Sequence, residues 1–290
     1  MRALPCIAFL LVCVLAGAQA PVPGDDSYVW GEGWGRTAEE ADREALSALV
    51  SKISVAFSSS FLQVEDQYAG TKGDGRYSRQ SSRTTMSSSV TLSGTGSSVE
   101  KAGRRYHARR WMRREDLDGI FADRKSRALE YEQYAVDAER EGRLDDALRY
   151  HYWAYAILST VARPTEVRDA RGRILLNAIP ERMNELLGSV RVTAVGRRGD
   201  LPVRLEFRRE GKPVKSLDFV FFDGARWTPR RHAEDGKATV QYAPGAPGNV
   251  VQLRIEYAYR DEAMMDAELS DILGSADVRP LRKSYVIFRR

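Results

Sequence analysis

Residues 28–57 read YVWGEGWGRTAEEADREALSALVSKISVAF, and this stretch decides the fold of the first part of the chain. Aromatic residues and glycines over Tyr28–Gly35 indicate a strand or a loop, in which the glycines allow close packing. Thr37 and Glu40 then have the spacing of a capping box, which marks the start of a helix. The apolar positions that follow at helical spacing are Ala38, Ala41, Ala45, Leu49 and Ile53. Their mostly small side chains predict a helix that packs tightly on a sheet.

The pattern changes after this helix. Apolar residues alternate with a period of two over Ile53–Phe61, which predicts that the helix leads directly into a strand. A hairpin tip near Thr71–Gly75, a polar strand over Thr84–Ser93 and a further strand over Arg104–Met112 are expected next. Residues 21–112 are therefore predicted to form a small α/β domain with an antiparallel sheet.

Helical periodicity dominates residues 113–188. One apolar stripe ends at Gly142, and a second begins at Leu144 and ends before Pro164, which predicts a helical hairpin. A third helix is expected to begin near Thr165.

Short alternating strands dominate residues 189–290 and predict a β-sandwich-like domain with a short terminal helix. The strands are Val190–Ala194, Val203–Phe207, Leu217–Phe221, Ala238–Tyr242 and Val251–Tyr257, followed by a helix over Ala263–Leu273 and a last strand over Ser284–Phe288. The whole chain is thus predicted to be α+β, with a small α/β sheet domain, a helical hairpin region and a C-terminal β-sandwich in series.

The first twenty residues have the pattern of a secretory signal peptide. Arg2 precedes the apolar run Leu4–Ala16, and residues 18–20, AQA, form a small-x-small cleavage site. The run is too short for a membrane-spanning helix. We therefore expect an exported protein, in the periplasm or associated with the outer membrane, whose mature chain begins at Pro21.

Both cysteines, Cys6 and Cys13, lie in this segment. A lipoprotein box has a small residue before the lipidated cysteine, whereas Val12 precedes Cys13, so simple cleavage after Ala20 is favoured over lipidation. Lipidation at Cys13 stays open as the alternative. After simple cleavage the chain would have no disulfide, no thiol nucleophile and no thiolate metal site.

Composition excludes several classes of protein. The 290 residues are 43% hydrophobic and 29% charged, which is typical of a globular protein and excludes disorder of the whole chain. The net charge of +5 is a small excess among many charges of both signs, so it does not indicate nucleic acid binding. No run after residue 20 has the length of a membrane helix, and we expect no transmembrane helix.

No recognisable catalytic motif occurs in the sequence. The three histidines, His107, His151 and His232, lie in three different regions without metal-ligand spacing, and structural roles are predicted for them. Acidic pairs such as Asp145–Asp146 stand at helix starts, where the helix dipole explains them. We therefore expect no catalytic residue, no cofactor and no metal. The alternative is a hydrolase that acts on an envelope polymer through an acid pair that the spacing does not identify.

Two aromatic pairs are the candidate partner-binding residues. Trp30 and Trp34 stand four apart, so they would face one side of a strand. If they are exposed, they could stack on a sugar or an aromatic group. The favoured interpretation is that they are buried between the helix and the sheet, where they would only contribute to packing. Tyr150 and Trp153 form an i, i+3 pair that is the candidate for an exposed binding face on this helix, although packing on the third helix is the favoured interpretation.

The run Arg104–Arg114 holds six arginines interleaved with aromatic residues. Adjacent arginines of a strand point to opposite faces, which favours a solvated or ion-paired strand. A possible weak contact with an anionic lipid headgroup or envelope glycan is the first alternative. Nucleic acid ranks last as a partner because the protein is expected to be exported.

The residues WGEGWGRT at 30–37, EAD at 40–42 and ISV at 53–55 resemble the LPP-twenty lipoprotein family of bacterial envelope proteins. The resemblance covers about residues 28–112 and lacks the family's lipobox. It implies a secreted, non-enzymatic protein at or near an envelope membrane, with a helix between a glycine-rich strand and a sheet.

Residues 135–160 also resemble a single tetratricopeptide-type hairpin, and the third region is similar to immunoglobulin-like domains in fold pattern alone. Together these features predict a non-catalytic interaction or scaffold module whose partner is a protein or another envelope component.

Overall fold

The computed structural model describes residues 25–68, 95–197, 201–243, 249–275 and 283–288, except for the side chains of 54–68 and 275. The fold is α+β, as predicted. The α-helices are α1 (Ala38–Tyr68), α2 (Arg114–Glu141), α3 (Leu144–Leu158), α4 (Leu175–Ser189) and α5 (Ala267–Ser275). The strands are β1 (Tyr28–Gly35), β2 (Gly96–Ala102), β3 (Arg105–Arg113), β4 (Val190–Val195), β5 (Val203–Arg209), β6 (Lys212–Pro213), β7 (Ser216–Phe222), β8 (Arg231–Glu234), β9 (Lys237–Val240), β10 (Val250–Ile255) and β11 (Ser284–Phe288).

An antiparallel sheet in the order β1–β3–β2 carries α1 on one face. Thr37 caps α1, since its hydroxyl accepts a hydrogen bond from the Glu40 N–H group at 3.2 Å. The Glu40 carboxylate reaches back to the N–H group of Arg36 at 2.8 Å, one residue earlier than in an ideal capping box. The predicted start of the helix is therefore confirmed.

Glycines bring β1 into backbone contact with α1. A Cβ atom on Gly31 would lie 2.2 Å from the Leu49 backbone nitrogen, and one on Gly33 would lie 2.2 Å from that of Ala45. Because alternate residues of a strand share a face, Gly31, Gly33 and Gly35 all meet the helix. The opposing helix positions Ala41 and Ala45 are fully buried. The glycines of the opening sequence thus form a contact surface for a helix.

The predicted strand over Ile53–Phe61 is wrong, because α1 continues to Tyr68. Positions 53, 57 and 61 are separated by four residues, so the same apolar residues also fit one face of a helix. Adding residues to an existing helix costs less free energy than starting a new element. In addition, no glycine or proline interrupts the sequence between Ile53 and Tyr68. The expected hairpin tip and the strand over Thr84–Ser93 lie outside the described residues. The predicted strand over Arg104–Met112 corresponds to β3.

Helices α2 and α3 form the predicted hairpin. Gly142 ends α2 in a left-handed conformation with φ 78°, which glycine adopts without the steric cost of a side chain. The expected third helix is present as α4, but its predicted start near Thr165 is wrong, since only Pro164–Glu166 forms a short 3₁₀ turn and α4 begins at Leu175. In between, the Asp169 carboxylate accepts hydrogen bonds from the N–H groups of Arg171 and Arg173, and this turn replaces helical bonding.

The remaining strands form one continuous sheet in the order β11–β10–β7–β8–β9–β5–β4, with β6 paired to β5. The end strands β11 and β4 approach each other, so the sheet is nearly closed into a barrel. The Tyr285 hydroxyl of β11 lies 3.1 Å from the carbonyl oxygens of Leu187 and Val190 across this gap. The predicted β-sandwich is not confirmed. The last strand pairs with β10, and the predicted terminal helix consists of a 3₁₀ turn, Glu262–Met265, and α5.

One hydrophobic core joins the helices to the barrel-like sheet. It includes Leu148 of α3, Ile179 of α4, Phe219 of β7 and Leu269 of α5, all at most 1% exposed. A smaller core under the first sheet contains Leu49, Ile53 and Met112, and Leu117 of α2 adds to it. Within the described part of the chain, no helix is both long and apolar enough to cross a membrane.

Candidate functional site

The face of the first sheet that points away from the glycine contacts carries aromatic and charged side chains. Strand alternation and the register of β1 with β3 place these residues together. This outer face contains Trp30, Glu32 and Trp34 of β1 and Arg105, His107, Arg109, Trp111 and Arg113 of β3, with Glu100 of β2 opposite His107.

Trp34 is the most exposed aromatic residue of this face, with 47% of its surface open to solvent. Its ring stacks on the ring of His107, the residue opposite it on β3, at a centroid distance of 4.3 Å and an angle of 24°. The guanidinium carbon of Arg105 lies 5.9 Å from the ring centre. The ring of Trp34 therefore has contacts with His107 and Arg105, and about half of its surface stays exposed to solvent.

The imidazole ring of His107 packs under the Trp34 ring, and His107 is only 6% exposed. Its Nδ1 atom lies 3.1 Å from Glu100 Oε1, and its Nε2 atom lies 3.8 Å from Glu32 Oε1. Glu100 therefore holds one edge of the ring, whereas Glu32 lies beyond hydrogen-bond distance and the buried Nε2 atom has no hydrogen-bond partner among the residues that the structure describes. These contacts fit the structural role that was predicted for this histidine.

The interpretation that both tryptophans are buried between helix and sheet is wrong. The glycines alternate with the tryptophans and occupy that contact, which leaves Trp34 exposed. Trp30 is half-buried, and the Lys52 ammonium of α1 lies 4.2 Å from its ring centre.

The adjacent arginines of β3 divide between the two faces, as predicted. Arg110 points to α1 and donates hydrogen bonds of 2.7 and 2.6 Å to the two carboxylate oxygens of Asp42. These bonds lower the pKa of the Asp42 carboxyl. Arg109 points to the outer face and pairs with Glu32 at 3.2 Å. Arg104 and Arg105, at the end of the strand, are exposed.

Exposure of the second candidate pair is not found. Trp153 is only 7% exposed, and its indole N–H donates a 2.7 Å hydrogen bond to the carbonyl oxygen of Tyr259. Tyr150 is half-buried and stacks on Tyr131 of α2 at 6.1 Å. The pair is packed, because Tyr259, more than a hundred residues later, covers α3. The rings of the pair contact Tyr131 of α2, and Trp153 is hydrogen-bonded to the Tyr259 backbone, so the contacts differ from the expected packing on the third helix.

His151 is fully buried and links three helices. Its Nδ1 atom lies 2.7 Å from Glu132 and its Nε2 atom 2.9 Å from Glu139, both of α2. Burial opposes the charged form, but the hydrogen bonds to these two carboxylates outweigh it and raise the pKa of His151 to about 8. Arg182 of α4 also donates to Glu139, at 2.9 Å. The predicted structural role therefore fits this histidine as well.

His232 of β8 lies near two aspartates that the sequence pattern does not connect with it, Asp218 and Asp145. Burial and the nearby charge of Asp145 raise the pKa of the Asp218 carboxyl, although the hydrogen bond with His232 works against this. Asp145, expected only to complement the helix dipole, is buried against Ser216 of β7.

Comparisons with known proteins add no assignment. No protein-family model matches the chain. Neither a curated protein nor a solved structure matches it. Functional inference therefore depends on the geometry of the chain itself.

Proposed function

We propose that the protein is an exported, non-catalytic interaction module of the bacterial cell envelope, and that the outer face binds an anionic envelope glycan. The observation that carries the proposal is the exposed side chain of Trp34, which stacks on His107 and has the Arg105 guanidinium beside its ring. The resemblance of residues 28–112 to the LPP-twenty family supports the envelope setting. A protein partner is the alternative occupant of this face.

The surroundings of Trp34 support a sugar ligand with negative charge. An exposed aromatic ring offers a flat apolar surface on which a sugar ring can stack. Arg105 of the outer face is exposed beside the ring, and its guanidinium group can pair with a carboxylate or a phosphate. The glycine contacts under β1 support the rigidity of this surface, because α1 meets the strand backbone directly.

Replacement of Trp34 by alanine is expected to weaken binding to purified peptidoglycan fragments on the order of 10-fold, the effect of losing one central aromatic contact. Trp227→Ala is the matched control. Trp227 is 44% exposed and also has an arginine against its ring, Arg254, but it lies on the barrel-like sheet. Fluorescence or calorimetric titration of both variants measures the difference.

Equal binding by the Trp34→Ala variant and the parent protein, with the fold intact by circular dichroism, would contradict the proposal. Binding only to vesicles that contain anionic phospholipid, and not to the glycan, would also contradict it. Loss of binding in the Trp227 variant alone would move the site to the barrel-like sheet.

Export is tested by the intact mass of the protein isolated from a bacterial host. Cleavage after Ala20 is expected to give an unmodified chain that begins at Pro21. Acyl chains on Cys13 would establish the alternative, a lipid-anchored protein. A retained N-terminus would contradict export.

A further inference from the structure

Each of the three histidines contacts two carboxylates, but His232 does so in a different way. At His107 and His151 the carboxylates lie on opposite ring nitrogens. At His232 both lie on the same nitrogen. Nδ1 is 2.8 Å from Asp218 Oδ1 and 3.7 Å from Asp145 Oδ2.

The three residues come from separate elements that the fold brings together. Asp145 lies in the first turn of α3, Asp218 in β7 and His232 opposite it in β8. One donor atom from each lies within 4.8 Å of the others, and no other trio of this kind occurs among the described residues.

A single N–H group at His232 Nδ1 cannot donate a hydrogen bond to both aspartates. One N–H group points along one line, and it already lies at hydrogen-bond distance from Asp218. The inner oxygen of Asp145 then faces the same nitrogen at 3.7 Å with a second negative charge. A cation among the three atoms would meet both carboxylate oxygens and the nitrogen lone pair at once.

In each aspartate, the carboxylate oxygen that points away from His232 has its own polar partner. The Ser216 hydroxyl donates a hydrogen bond to Asp145 Oδ1, and the Arg230 Nε atom lies 3.3 Å from Asp218 Oδ2. These contacts direct the other oxygen of each aspartate toward His232. Hydrogen-bonded partners behind the ligands are a regular feature of protein metal sites.

We propose that Asp145, Asp218 and His232 bind a divalent transition metal ion, and that zinc fits the donor set best. One imidazole and two carboxylates are common zinc ligands, whereas calcium and magnesium prefer oxygen ligands alone. The His232 side chain is half exposed, so water can complete the coordination. The ion links the start of α3 to the β7–β8 pair. This proposal is independent of the glycan-binding face.

The test is calorimetric titration of the full-length mature protein, tag-free and treated with chelator, with zinc chloride near neutral pH. We expect one ion per chain in the micromolar range. Asp218→Asn and His232→Gln should each lower the affinity at least ~10-fold, the lower end of what even indirect ligand support contributes. Zinc should also raise the melting temperature of the parent protein but not that of these variants.

His107→Gln is the matched control, because His107 also contacts two carboxylates but with one on each ring nitrogen. It should bind zinc like the parent protein. Absence of saturable binding would overturn the proposal. Binding that survives both Asp218→Asn and His232→Gln, in protein that is folded by circular dichroism, would also overturn it. Equal affinity for calcium would contradict the assignment of a transition metal.

Discussion

Alanine at position 33 is expected to separate α1 from the first sheet. The added Cβ would lie 2.2 Å from the Ala45 backbone nitrogen and 2.3 Å from the Ala41 carbonyl oxygen. Both neighbours are backbone atoms, so no rotation of a side chain relieves the clash, and the helix itself has to move. We expect Gly33→Ala to cost about 3 kcal/mol or more of stability, at or above the usual range for overpacking.

Gly119→Ala provides the control for this substitution. Gly119 lies in α2 with open space around its Cβ position, and alanine favours a helix over glycine. This variant should be neutral or more stable by up to ~1 kcal/mol. Urea unfolding, followed by tryptophan fluorescence, measures both variants. Equal stabilities would contradict the close backbone contact between β1 and α1.

Removal of the buried imidazole of His151 is expected to have the second large effect. His151→Gln leaves the Glu132 and Glu139 carboxylates without the cation that lies between them, although Arg182 still pairs with Glu139. Breaking a buried ion pair by removing one partner costs ~3 kcal/mol or more. Thermal or urea unfolding measures the loss, and a loss below 1 kcal/mol would contradict the role of His151 as a link between helices.

The same histidine gives the protein a defined pH dependence. Its pKa is about 8 in the folded protein, above the ordinary histidine value of 6.5 that applies to the unfolded chain. The stabilisation is therefore fully present below pH 6.5 and is lost as the pH rises through 8. A shift of this size corresponds to about 2 kcal/mol. The stability difference between the parent protein and His151→Gln should be larger at pH 6 than at pH 9, and parallel profiles would contradict it.

The sequence predicts local elements well where only one period fits. The strand at Tyr28–Gly35, the capped start of α1 and the α2–α3 hairpin all follow from glycine positions, capping residues and apolar spacing. The end of α1 is missed because positions 53, 57 and 61 fit both a strand and a helix. Barrel-like closure is missed because the β11–β4 approach depends on the twist of the whole sheet.

Side-chain environments are harder to predict, because residues far apart in the chain create them. Nothing near Trp153 indicates that Tyr259 covers it. Asp145, Asp218 and His232 have no motif spacing, and only the packing of α3 against β7 and β8 brings them together. The exposure of Trp34 could be predicted from the sequence. The glycines and the tryptophans alternate along β1, so when the glycines face the helix the tryptophans must face away from it.

Hydroxyl-radical footprinting of the mature protein, with and without peptidoglycan fragments, tests the proposed binding face most directly, because it needs no substitution. Trp34 and Trp227 have similar exposure, 47% and 44%, and both should oxidise readily in the free protein. Added glycan is expected to protect Trp34 and to leave Trp227 unchanged. Unchanged oxidation of Trp34 under saturating glycan, or protection of Trp227 instead, would contradict the assignment of the outer face as the binding surface.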